Sequence, residues 1–150
     1  MRFGIFLFLF LGCTRSLVAQ PDGKAFVDSV LAVPYDVMVG DLNTSYSTLH
    51  RALLVARGSS DRIAEGQVCS KLAVVHHLLN QLDSATFYGL QAVDLFREAG
   101  DRVLLGEALC SLGHEVKRSD LPQAFAYYRQ GLSMLEAEQA RAALTGSYDN

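Results

Sequence analysis

Apolar residues recur at helical spacing along nearly the whole chain after residue 20. Phe26, Val27, Val30 and Leu31 stand three and four apart, which predicts a short amphipathic helix within 20–33. Pro34 ends it, because a residue before proline is disfavoured in the helical region. Gly40-Asp41 breaks the chain again. Leu42, Tyr46, Leu49, Leu53 and Ala56 then share one face and predict a helix over 42–57. Gly58 reads as its C′ residue, and Ser59-Ser60-Asp61 offers caps for the next helix. That helix is expected over 62–80, with Ile63, Cys69, Leu72, Val75, His76 and Leu79 on or beside its inner face. Further helices are expected over 84–99, 102–118 and 121–138, and another from Arg141 onward. Gly100-Asp101 and Ser119-Asp120 mark two of these boundaries, and Pro122 sits in a first turn, where its missing N–H costs little.

The pattern is written nearly twice. Leu82, Ala85, Tyr88, Gln91 and Arg102 return as Leu121, Ala124, Tyr127, Gln130 and Arg141, each 39 positions on. Asp61-Arg62, Gly66 and Ala73 return as Asp101-Arg102, Gly106 and Gly113, each 40 positions on. One residue fewer between Gly113 and Ala124 reconciles the two periods. Self-similarity at a period of roughly 20–50 residues marks a stacked repeat array. The expected fold class is therefore all-α, an α-solenoid of antiparallel helix pairs with a 39–40-residue repeat. Residues 42–150 would form the repeats, the last pair incomplete, and 20–41 a lead-in with one short helix.

These residues resemble the tetratricopeptide repeat family. Leu72-Ala73 and Leu112-Gly113 look like its first-helix Leu-Gly, and Ala85 and Ala124 like its second-helix alanine. Tyr88 and Tyr127-Tyr128 look like its aromatic site, and Ala92-Val93 and Gly131-Leu132 like its later small-large pair. The physical demand is close approach, since helices nest only where residues at their crossing lack bulk. The chain departs from the family in its repeat, longer than the usual ~34 residues, in lacking Trp, and in carrying Ser45 at the first alanine site. Over 24–150 the runs Val27-Asp28-Ser29-Val30, Val33-Pro34-Tyr35-Asp36, 112–121 and Ser147-Tyr148-Asp149-Asn150 resemble a group of exported bacterial tetratricopeptide proteins. In that group the repeats precede a membrane helix and a histidine kinase or DNA-binding output domain. The resemblance implies the start of a longer signalling protein; a free-standing scaffold is the alternative. It also implies a concave face lined by Gln67, Lys71, Val74, His77 and Asn80 in one pair and Glu107, Ser111, His114 and Glu115 in the next. A protein or peptide partner would lie there.

Composition adds an address. Arg2 and the apolar run 3–11 have the form of a signal-peptide core, too short for the ~20 residues that span a bilayer. Residues 1–19 are thus expected to be removed by cleavage near Ala19, or the chain lipidated at Cys13. Either route predicts export, to a periplasmic or cell-surface location. Cys69 and Cys110 read as small buried hydrophobes, with a bridge between adjacent repeats as the other possibility. The net charge of −3 with scattered Lys and Arg argues against nucleic acid.

No residues suggest catalysis. His76-His77 point about 100° apart on a helix and do not converge on a metal; His50 and His114 stand singly. There is no Gly-x-Ser-x-Gly elbow and no phosphate-binding Gly-rich loop. The expectation is a non-catalytic interaction module with no cofactor and no metal.

Overall fold

The computed structural model describes the backbone of residues 21–148 and the side chains of 23–142. The apolar leader, Cys13 and Ala19 lie outside the described residues, as do Asp149 and Asn150. All regular structure among the described residues is helical: α1 (Pro21–Leu31), α2 (Tyr35–Gly40), α3 (Leu42–Ser59), α4 (Arg62–Leu78), α5 (Leu82–Ala99), α6 (Arg102–Val116) and α7 (Leu121–Tyr148). None is long and apolar enough to cross a membrane.

Acidic caps start four of these helices. Asp41, Asp61, Asp101 and Asp120 each accept a hydrogen bond from the backbone N–H three residues on, at 2.9–3.1 Å. Each bond satisfies one of the donors a helix start leaves unpaired. Gly100 closes α5 with φ +74°, the left-handed turn that a glycine takes without strain.

Neighbouring helices pack in pairs. α4 lies along α5 and α6 along α7; α5 also meets α6, and α3 meets α4. Ala85 and Ala124 are both fully buried, as the spacing required of residues at a crossing. The pairing repeats in its ionic detail too. Arg62 reaches Glu98 at 3.8 Å, and Arg102 reaches Glu138 at 2.5 Å, each partner 40 residues beyond its counterpart. Leu72, Val75, Leu109 and Leu112 fill the core between the pairs, with Phe96 seated over Gly66.

Three boundaries differ from expectation. The lead-in holds two helices, not one, and is part of the core: α1 packs on α3 and α4, and Val27, Val30 and Met38 are buried. Ser45, at the site where the later repeats have alanine, donates its hydroxyl to the Met38 carbonyl and so ties α2 to α3. Gly58 is not a C′ residue. Helix α3 runs on to Ser59, and Ser60 takes the left-handed turn at φ +58°. Most plainly, no break separates 121–138 from a helix starting at Arg141. Helix α7 is continuous for 28 residues. Residues 136–143 are Glu-Ala-Glu-Gln-Ala-Arg-Ala-Ala, strong helix formers without Gly or Pro, and Arg141 bonds Glu138 one turn back.

Candidate functional site

Helices α4 and α6 present one common face. Two hollows lie along it. The first, of 260 Å³, is lined by Leu31, Gln67, Ser70, Lys71, Phe96, Leu104, Glu107, Ala108 and Ser111. The second, of 450 Å³, is lined by Tyr35, Val74, His77, Leu78, Cys110, Ser111, His114, Glu115 and Tyr128. Ser111 lines both, so the two hollows adjoin there, and together they are termed the groove. Of the nine residues that the resemblance assigns to a binding face, eight line it. Asn80 does not; it sits exposed in the turn after α4 at φ +58°.

Two of the eight behave unlike outward-facing residues. Lys71 donates its ammonium to the Val33 carbonyl at 2.8 Å. It clamps α4 to the segment after α1, and burial lowers its pKa. Glu115 is only 5% exposed. Its Oε2 lies 2.5 Å from His77 Nδ1, joining α6 to α4, yet neither atom has a hydrogen-bond partner in good geometry. Burial raises the Glu115 carboxyl above its ordinary value, against the opposing pull of His77 and, more weakly, Lys117. The His77 and His114 rings lie 5.2 Å apart at 59°. Burial, then Lys117 and His77, lower the His114 pKa; the Lys117 ammonium stands 3.1 Å from His114 Nδ1 at the rim.

The sequence reading missed much of the walls. Tyr35 and Leu31 come from the lead-in, and only the folded chain brings them beside α4. Tyr128 was assigned to packing and does both: it covers Gly113 and faces the groove. Cys110 lines the groove as a free thiol, and Cys69 is free and buried. Burial pushes the Cys69 thiol up to about 12, which makes it inert at neutral pH.

A second cluster lies among α3, α4 and α5. His76 is buried and its Nδ1 lies 2.6 Å from Gln81 Oε1, so the ring donates there. It stacks on Tyr88 at 5.1 Å and meets His50 edge-on at 5.8 Å. The two adjacent histidines thus serve different faces, His76 in this aromatic cluster and His77 in the groove. Among the described residues no three His, Cys, Asp or Glu side chains converge as a metal site requires.

No protein-family model matches the chain, and no curated protein matches it.

Proposed function

We propose that this chain is a non-catalytic protein-interaction module: an exported, tetratricopeptide-like solenoid of antiparallel helix pairs whose concave face is the α4–α6 groove. It would bind an extended or helical segment of another protein and serve as the extracytoplasmic sensory or scaffolding part of a bacterial signalling protein. The observation that carries this reading is that the two hollows adjoin at Ser111 along the α4–α6 face. One groove built from the same face of two repeat-related helices is the shape into which recognition segments lie. The repeat-related ion pairs and the buried Ala85 and Ala124 support the stacking.

A photo-crosslinking amino acid placed at Ser111 tests it. In cells that make the protein, crosslinking from Ser111 should capture a discrete polypeptide. The same probe at Arg129, exposed on α7 and outside the groove lining, should not. Equal capture from both positions, or none from Ser111, refutes the groove as the binding face.

A further inference from the structure

We propose that the larger hollow of the groove receives a basic side chain, arginine above all, with the Glu115 carboxylate as its counter-charge. The inference rests on the groove reading and names the chemistry the bound segment must carry.

The first argument comes from the repeat. Glu115 stands 40 residues after Val75, and Val75 is completely buried. The equivalent position in α4 is thus satisfied by valine. Packing does not call for a carboxylate there, and burying one is costly unless it is paired and hydrogen-bonded. Here Oε2 of Glu115 is buried 2.5 Å from His77 Nδ1, a contact that lacks good hydrogen-bond geometry at either atom. A carboxylate has about four acceptor positions. His77 occupies one of these positions, and the hollow that Glu115 lines is the open space from which a further donor would approach the carboxylate.

The surroundings favour a cation as that donor. His77 and Leu78 belong to the last turn of α4, and His114 and Glu115 to the last turn of α6. Both helices direct the partly negative, carbonyl-bearing ends of their dipoles to this region. Tyr35 and Tyr128 line the hollow, and aromatic rings attract guanidinium and ammonium groups placed over their faces. A guanidinium also bonds a carboxylate through two parallel N–H donors and stacks on aromatic rings, which a lysine does less well. Besides Glu115, the titratable groups that line the hollow are His77, His114, Cys110, Tyr35 and Tyr128, and the Lys117 ammonium stands beside His114. Lys117 is exposed at the rim, where water weakens its repulsion. Lys71 is tied to Val33 and stands in the other hollow. The volume of 450 Å³ falls in the range of ~300–1,000 Å³ usual for ligand sites.

The test uses L-argininamide as probe and L-citrullinamide, its uncharged isostere, as control, followed by the imidazole proton resonances of His77 and His114. Argininamide should shift both resonances saturably, with a Kd on the order of millimolar. Citrullinamide should bind at least tenfold more weakly. Glu115→Gln should remove the argininamide response, and Glu115→Asp should keep part of it; a melting curve of each variant establishes that it is folded. An equal response to both amides, an unchanged response in Glu115→Gln, or no response at all overturns the proposal. Its failure is separable from failure of the groove reading. If Ser111 captures a partner whose bound segment has no Arg or Lys, and Glu115→Gln binds it unchanged, the groove stands and the basic receptor falls. If argininamide binds at Glu115 while Ser111 captures nothing, the reverse holds.

Discussion

Glu115 carries the clearest tension between stability and function at the scale of one residue. Its carboxyl is easier to protonate in the folded protein than in the unfolded chain, because burial penalises the charged form. Folding is therefore favoured below the ordinary carboxyl value of 4.5, and that advantage is lost as pH rises through the higher folded value. Glu115→Gln, which cannot ionise, should melt at a higher temperature than the natural protein at pH 7. The difference should shrink as pH falls through the raised folded value toward 4.5. Thermal melts from pH 4 to 8 check this, and a variant less stable than the natural protein at pH 7 would show that the His77 contact outweighs burial. None of this was legible from the sequence. A glutamate near a helix end is normally solvated, and only the position of its repeat counterpart, Val75, hints otherwise.

Among elements, α6 and α7 meet backbone to backbone at Gly106 and Gly131. A Cβ added at Gly131 would lie 2.6 Å from the Gly106 carbonyl oxygen and 2.7 Å from Cys110 Sγ. Backbone cannot yield as a side chain does, so Gly131→Ala should destabilise by about 1–3 kcal/mol despite alanine's better helix propensity. Gly58→Ala in α3 meets nothing within 4 Å and should stabilise by up to about 1 kcal/mol. Chemical denaturation of the two variants reads both signs at once. Several element boundaries were legible from their caps: Asp61, Asp101 and Gly100 act as their types suggest. Others were misread where local signals conflicted. A glycine at residue 58 looks like a stop, yet α3 runs on to Ser59 before Ser60 turns. No stop exists at 138, so the repeat alone suggested a break that helix-forming residues do not make.

At the scale of the whole molecule, each helix meets mainly its neighbours in sequence. Leu72 is completely buried at the centre of α4. Leu72→Ala should cost about 2–5 kcal/mol. In an array coupled through nearest neighbours, native-state hydrogen exchange should show the largest loss of protection in α3, α4 and α5, and a smaller loss in α7. Uniform loss along the chain would point to a single cooperative core instead. The groove is a property of this scale as well. The eight residues that the family resemblance assigns to this face fall along it, whereas Tyr35, Leu31 and Tyr128 come from elements that meet the face only after packing.

By itself, the amino-acid sequence determined that the chain is helical and where its small residues must fall. Helical periodicity, Asp caps and spacings of 39 and 40 act locally, within a turn or between copies of one pattern. Tertiary structure alone decided that α1 and α2 join the core, that Lys71 is tied to Val33, and that His77 meets Glu115. Those contacts join residues 38 apart in both cases, and nothing in local spacing specifies which side chains meet across packed helices.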